Sequence, residues 1–161
     1  MEKSDRETVL EILRATDMFT PAELVCAEEQ VEIYLNQPQQ EDYSLVVVEN
    51  EKGRVAGYMS FGPTPLTEGV YDLYWMAVSP QEQGRGYGKE LVRWLEDKVR
   101  AEKGRMLLIE TSSQPKYHPT CQFYLKMGYR EISRISDFYK PGDDRITYAK
   151  YFSAKEANEN G

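Results

Sequence analysis

The chain has 161 residues, about the length of one domain, and its 27 acidic against 20 basic residues give a formal net charge of −7. An acidic chain lacks the basic surface that nucleic-acid binding requires, which argues against a nucleic-acid partner. A hydrophobic content of 40% is typical of a globular protein, and no apolar run approaches the roughly 20 residues of a membrane-spanning helix. We therefore predict one globular domain over residues 1–152, without a membrane partner, and a polar tail over residues 153–161.

The cysteine content and the first ten residues indicate in which cellular compartment the protein is expected. Cys26 and Cys121 are too few for a disulfide framework, and no cysteine or histidine spacing is typical of a zinc site. The first ten residues (MEKSDRETVL) lack the basic and then apolar regions of a signal peptide. We expect a cytoplasmic protein that holds no metal.

The first part of the chain predicts two helices followed by a β-hairpin. Ser4 to Glu7 and Thr20 to Glu23 have the spacing of capping boxes, and Asn36 to Pro38 ends the second helix. The β-branched residues of Tyr43 to Glu49 and the run from Arg54 to Phe61 then predict two antiparallel strands joined by the turn NEKG.

The second part of the chain alternates strands with helices. An amphipathic helix is predicted from Tyr87 to Lys103, with Leu91, Leu95 and Val99 on its apolar face and with Lys89, Arg93, Glu96 and Arg100 facing water. The other predicted elements are strands at Val70 to Val78, Met106 to Thr111, Tyr129 to Tyr139 and Arg145 to Phe152, and a helix at Pro119 to Met127 that Gly128 ends.

This order of elements predicts the fold class. The unit of strand, glycine-rich loop, helix and strand in the middle of the chain is a right-handed crossover, so its two strands are expected to be parallel. Hairpins lie on either side of it. We predict an α/β fold with a mixed, mostly antiparallel sheet, a central parallel β-α-β unit and flanking helices.

The loop from Gln83 to Lys89 (QGRGYGK) carries the strongest functional signal. Three glycines at alternate positions allow positive φ angles and a close approach of a ligand to the backbone. The loop runs into a helix, whose free N–H groups and positive dipole end favour phosphate. Arg85 and Lys89 add positive charge. The alternative is an ordinary glycine-rich turn between a strand and a helix.

Two common phosphate-binding patterns do not fit this loop. A Walker A loop needs glycine where Gln83 stands and Ser or Thr where Glu90 stands, and the dinucleotide pattern needs glycine where Lys89 stands. The pattern that fits is Q/R-x-x-G-x-G/A, which Gln83, Gly86 and Gly88 satisfy.

At these residues the chain resembles the GNAT superfamily of acetyl-CoA-dependent N-acetyltransferases, over roughly Tyr43 to Phe152. Besides the loop, the resemblance rests on the strand end Trp75 to Pro80 (WMAVSP) and on Phe123 to Tyr129 (FYLKMGY), which matches the family signature F-Y-x-x-x-G-F/Y. Family members start with a strand. This chain starts almost directly at a helix, so we expect that strand to be missing or very short.

The resemblance implies that coenzyme A binds along the splayed end of the long strand and on the loop. The pantetheine arm would pair with the backbone of Met76, Ala77 and Val78. The pyrophosphate would rest on Gln83, Gly84, Arg85, Gly86, Tyr87, Gly88 and Lys89. Family members transfer the acetyl group by direct attack in a ternary complex, so Cys121 is not needed as a nucleophile and is expected to be a packing residue.

The resemblance also suggests catalytic residues. Tyr124 stands where the family has the tyrosine that protonates the thiolate, and a phenol of pKa about 10 could donate to a thiolate whose acid has a pKa of about 8.5. The alternative for Tyr124 is aromatic packing. Asp72 stands four residues before Met76, where some protein-acetylating members carry a glutamate that acts as the base. Glu110, His118, or no dedicated base are the alternatives.

Aromatic and acidic residues suggest the acceptor. Aromatic walls with carboxylates suit a protonated amine. The expected acceptor is a small cationic amine or an amino-acid-like metabolite. The candidate substrate-binding residues are Tyr74, Tyr117, His118, Asp137 and Tyr139, while Asp143 and Asp144 have the composition of an ordinary turn. A protein N-terminus or lysine, or a non-catalytic acyl-CoA sensor, are the alternatives. A homodimer is a further expectation, because dimers are common in the family.

Overall fold

A computed structural model of the chain describes residues 1–152; the predicted polar tail, 153–161, lies outside the described residues. The helices are α1 (Arg6–Ala15), α2 (Pro21–Asn36), α3 (Tyr87–Ala101) and α4 (His118–Lys126). The strands are β1 (Ser44–Glu49), β2 (Val55–Pro63), β3 (Val70–Val78), β4 (Met106–Ser112), β5 (Arg130–Lys140) and β6 (Asp143–Tyr151).

The six strands form one mixed sheet in the order β1-β2-β3-β4-β6-β5. The pairs β1–β2, β4–β6 and β5–β6 are antiparallel. The carbonyl of Gly69, just before β3, accepts hydrogen bonds from the N–H groups of Arg105 and Met106 at the start of β4, at 2.7 and 3.3 Å. Because β3 and β4 start side by side, they run parallel. The predicted α/β class with one central parallel pair is confirmed.

The chain divides into two compact units, one made of Met1–Pro63 with Leu73–Leu95 and the other of Thr64–Asp72 with the residues from Glu96 onward. In the first unit, α1 buries one continuous apolar face. The core residues from the helices are Val9, Leu10, Ile12, Leu13, Ala27 and Val31, and they form one cluster with Leu45 of β1 and Tyr58 of β2. Removal of this apolar surface from water is the main stabilising term of the unit.

The two predicted capping boxes had different outcomes. The box at Thr20 is confirmed, since its hydroxyl accepts from the Glu23 N–H at 3.3 Å and its own N–H donates to the Glu23 carboxylate at 2.7 Å. The box predicted from Ser4 to Glu7 is wrong. Glu2 and Asp5 form it instead, around a short 3₁₀ turn that precedes α1. Only Ser4 to Glu7 has the residue types of the motif, but the 3₁₀ turn moves the start of the helical segment to Glu2.

No strand precedes α1 within residues 1–152, as expected, and β1 therefore forms one edge of the sheet. The amino group of Met1 donates to the carbonyl of Leu45 on β1 at 3.4 Å. The other edge is β5, all of whose side chains are exposed.

In the second unit, Glu96 contradicts the sequence prediction. It was expected to face water, but its side chain is only 5% exposed. Both of its carboxylate oxygens lie 2.9 to 3.0 Å from Nζ of Lys150 on β6, and the Tyr129 hydroxyl donates to Oε1 at 3.1 Å. Glu96 follows Val92 by four residues, so it shares the buried face of α3.

Lys150 also joins α4 to this cluster. Its Nζ donates to the carbonyl of Met127, the C-cap residue of α4, at 2.9 Å. One ammonium therefore satisfies two oxygens of a buried carboxylate and one carbonyl at a helix end, where carbonyls lack helical partners.

We predict that Lys150→Met lowers the free energy of unfolding by about 3 kcal/mol, because the buried Glu96 carboxylate loses its close partner and keeps only the more distant Arg100, whose Nη2 lies 3.6 Å from Oε2. Lys98→Met is the matched control. Lys98 pairs with Glu102 on the same helix, but those two side chains are 33% and 42% exposed, so its loss should cost at most about 0.5 kcal/mol. Chemical denaturation measures both. Equal losses in the two variants would contradict the buried pair.

Candidate active site

The glycine-rich loop in the first unit adopts the backbone that its sequence predicts at two of its three glycines. Gly84 has φ +78° and Gly86 has φ +92°, in the region that favours glycine. No atom lies within 4 Å of the position that a Cβ would take at either residue. Glycine is therefore required there by conformation and not by space. Gly88 differs from the expectation, because it lies in the first turn of α3.

Helix α3 starts directly after the loop. The N–H of Glu90 donates to the carbonyl of Gly86 at 3.0 Å and is the first helical hydrogen bond. The N–H groups of Tyr87, Gly88 and Lys89 precede it, so helix geometry offers them no carbonyl partner. Three free donors at the positive end of a helix dipole form the arrangement that binds a phosphate group.

Two side chains of the loop make contacts, one with the end of β3 and one with the residue just before the loop. Gln83 donates from Nε2 to the carbonyl of Val78 at 3.3 Å, which joins the loop to the last residue of β3. Arg85 lies 3.1 Å from the carboxylate of Glu82, and 65% of the Arg85 side chain is exposed. In the same strand end, Ala77 is buried while Met76 and Val78 are half-buried.

Asp72 lies in the second unit, in surroundings that raise the pKa of its carboxyl group. It is half-buried, and its Oδ2 accepts a hydrogen bond of 2.7 Å from the hydroxyl of Thr64. Burial raises the pKa of Asp72 above its ordinary value, although the hydrogen bond from Thr64 lowers it in part. A carboxylate with a raised pKa holds a proton more strongly than an exposed one.

Glu110 and His118 are the other candidate bases. Half of the Glu110 side chain is exposed, and its Oε2 lies 3.5 Å from Nη1 of Arg145. His118 is the first residue of α4 and is exposed, while Tyr117 before it is half-buried. No side chain caps α4 at its start.

Tyr124 is buried within an aromatic group on α4 and just after it. Its ring lies edge-on to Phe123 at 5.1 Å and to Tyr129 at 5.7 Å, measured between ring centroids. Burial raises the pKa of Tyr124, so the hydroxyl stays protonated and available as a donor. Cys121 is buried one turn earlier on the same helix, as expected of a packing residue.

The candidate acceptor residues have different local roles. Asp137 has φ +54°, and its Oδ1 accepts from the N–H of Gly142 at 2.6 Å, so it builds the β5–β6 turn. Tyr139 packs on Phe138 with ring centroids 5.0 Å apart. Tyr74 belongs to the first unit and packs edge-on against Tyr43 at 5.6 Å.

The second unit thus contains Asp72, Glu110, Tyr117, His118, Tyr124, Asp137 and Tyr139, whereas the first contains Tyr74, the β3 end and the loop. Sequence reasoning missed Arg145, which stands beside Glu110. Arg145 is one of several charged residues of β6 (DDRITYAKY), so no signal in the sequence singled it out.

The loop geometry and the aromatic group on α4 can be compared with known proteins. The model of the acetyltransferase (GNAT) family matches residues 10–129. The chain belongs to the GNAT family. The predicted membership and the predicted enzyme class, an N-acetyltransferase, are thereby confirmed.

Individual relatives agree with this membership. The crystal structure of a Desulfovibrio desulfuricans protein described as a GNAT acetyltransferase is 39% identical, covers 92% of this chain and 93% of that one, and has a TM-score of 0.87. An aminoglycoside 6'-N-acetyltransferase crystallised with coenzyme A is 17% identical, over 93% and 92% of the two chains, with a TM-score of 0.70, and it shows the shared fold.

A curated relative is similar over a shorter stretch. The S-(2-succino)cysteine N-acetyltransferase of Bacillus subtilis (strain 168) is 27% identical over 86 residues, which are 51% of this chain and 52% of that one. The match therefore spans about half the length of the relative. Separately, no helix within residues 1–152 is long and apolar enough to cross a membrane.

We predict that Thr64→Val raises the pKa of Asp72 further, because it removes the hydrogen bond that lowers this pKa and leaves the effect of burial. An NMR titration of the Asp72 carboxyl carbon measures the shift. Thr67→Val is the control, since the Thr67 hydroxyl donates to the backbone carbonyl of Thr64. A lower pKa in Thr64→Val would show that the hydrogen bond does not act on Asp72.

Proposed function

We propose that this GNAT protein transfers the acetyl group of acetyl-CoA to the primary amine of a small acceptor, either a cationic amine or an amino-acid-like metabolite. The observation that carries the proposal is the loop that turns through Gly84 and Gly86 at positive φ and runs directly into α3. The curated relative supports the amino-acid-like acceptor, because its name specifies a substituted cysteine.

The residues for coenzyme A are those at the end of β3 and on the loop. The backbone of Met76, Ala77 and Val78 would pair with the pantetheine arm, as one strand pairs with another. The pyrophosphate would take the free N–H groups from Gln83 to Lys89, at the start of α3. Acetyl-CoA supplies the acetyl thioester, and the proposed reaction uses no metal.

Asp72 is the proposed base. An acceptor amine is protonated at neutral pH, and it must lose that proton before it can attack a carbonyl. The half-buried Asp72 takes the proton, and the raised pKa makes the transfer easier than it would be for an exposed aspartate. Glu110 and His118 remain the alternatives.

Tyr124 is the proposed donor to the departing sulfur. When the bond between carbonyl carbon and sulfur breaks, the sulfur takes the electron pair, and a hydrogen bond from the Tyr124 hydroxyl stabilises that charge. Because burial raises the pKa of Tyr124, donation of a hydrogen bond fits this residue better than complete transfer of its proton. The amine attacks directly, and the buried Cys121 takes no part.

Three further predictions accompany this function. Residues 1–152 act as a single catalytic domain, the protein is cytoplasmic, and two copies form a homodimer. The free edges of the sheet at β1 and β5 favour the homodimer, since an edge strand presents unpaired backbone groups.

Calorimetric titration with acetyl-CoA tests the loop. We expect one-to-one binding in the micromolar range, and we expect Gly86→Asp to abolish it, because the substitution strains a positive-φ position and places a carboxylate beside the phosphate. Gly142→Asp is the matched control, since Gly142 also has positive φ and open space around it but lies in the β5–β6 turn. No binding by the unaltered protein would overturn the proposed function.

Tyr124→Phe tests the catalytic donor. We expect kcat to fall about a hundredfold with an unchanged Kd for acetyl-CoA, because the variant loses a hydrogen bond that forms as the thiolate develops. Tyr58→Phe is the control. Tyr58 is also fully buried, in the first unit, and should leave kcat unchanged. Thiol release measures turnover. Equal kcat values in Tyr124→Phe and the unaltered protein would leave Tyr124 only a packing role.

A further inference from the structure

Arg145 is held in place on three sides within the second unit. It lies on β6 between Ser112 of β4 and Ile135 of β5, which are its register partners. Its guanidinium stacks on the ring of Phe138, with Cζ 4.4 Å from the ring centroid. Asp143, two residues before Arg145, is buried, and its Oδ1 accepts from the Ser112 hydroxyl at 2.5 Å, which secures the start of β6 against the end of β4.

The guanidinium of Arg145 nevertheless has unused donor capacity. Nη1 lies 3.5 Å from Oε2 of Glu110, a long ion-pair distance. Nε is buried and has no hydrogen-bond partner in the part of the chain that the structure describes. Buried donors are nearly always satisfied, and an unsatisfied one requires an explanation.

Arg134 on the neighbouring strand β5 differs from Arg145, because its guanidinium donors are occupied. Its Nε and Nη2 donate to the two carboxylate oxygens of Glu131 at 2.8 and 3.0 Å, and its Nη1 donates to Asp144 at 3.1 Å. The donors of Arg134 are thus taken up by two carboxylates of the protein, in the fork geometry that arginine prefers. Arg145 has the same fork of donors, but the carboxylate of Glu110 lies near Nη1 alone.

We propose that the acceptor carries a carboxylate beside its amine, as an α-amino acid does, and that Arg145 binds this carboxylate while Glu110 binds the ammonium group. This inference rests on the proposed function and chooses between its two acceptor classes. A negative and a positive side chain 3.5 Å apart are complementary to a zwitterion whose two charges are adjacent. A cationic amine without a carboxylate would meet the positive charge of Arg145 with no group to pair with it.

The experiment compares the standard L-amino acids with their carboxamides as acceptors, with thiol release as the readout. For each acceptor the ratio of kcat/KM between the unaltered protein and a variant cancels differences in amine basicity. We expect Arg145→Met to lower kcat/KM for the best amino acid about tenfold or more, mainly through KM, and to leave the value for its carboxamide unchanged. Arg145→Lys keeps the charge without the fork and should lose nearly as much.

Arg134→Met is the matched control, and it should not change the ratio of amino acid to carboxamide. Titration of each variant with acetyl-CoA provides the second readout, because a correctly folded Arg145→Met should keep the Kd of the unaltered protein. If the unaltered protein does not bind acetyl-CoA, the proposed function itself fails. If it binds acetyl-CoA but acetylates no amino acid, or if Arg145→Met affects amino acids and carboxamides alike, the carboxylate site is overturned and the proposed function stands.

Discussion

The second unit depends on the ion pair and the hydrogen bond that the ammonium group of Lys150 makes. This group lies between the buried carboxylate of Glu96 and the carbonyl of Met127, and so it joins α3, β6 and the end of α4. Tyr129 donates to the same carboxylate and packs against the ring of Tyr124. A buried charge without its partner is costly, so these elements keep their arrangement as long as the pair is intact. The charge pair is thereby linked, through Tyr129, to the ring of the proposed catalytic tyrosine.

The sites proposed for coenzyme A in the first unit and for the acceptor in the second are of different kinds. In the first, the proposed recognition of coenzyme A relies on the backbone, since Gly84 and Gly86 adopt positive φ angles in the loop before α3. In the second, the proposed recognition and catalysis rely on side chains whose properties come from burial and neighbours, such as Asp72 beside Thr64 and Glu110 beside Arg145. Phosphate is common to every coenzyme A, whereas the acceptor must be distinguished from other amines, and side chains provide that discrimination.

Local signals in the sequence predicted most of the fold. The strand from Val70 to Val78 and the hairpin before it follow from β-branched residues bounded by turns, and the box at Thr20 follows from a four-residue spacing. The misplaced first box shows the limit of such signals, because Ser4 and Glu7 satisfy the motif while the 3₁₀ turn places the box at Glu2 and Asp5. Glu96 shows a second limit. Charge favours a solvent position for a helix residue, and only a partner distant in the chain, Lys150, reverses that preference.

The same distinction applies to the candidate site. The sequence by itself determined the glycine loop, the crossover and the family, because these depend on residues close together in the chain and on conformations that only glycine adopts readily. Only the tertiary structure decided the burial of Asp72 and Tyr124, the pairing of Glu96 with Lys150, and the position of Arg145 beside Glu110 with a donor to spare. Burial and electrostatic environment depend on contacts between residues tens of positions apart, which come together only when the strands pair and the helices pack.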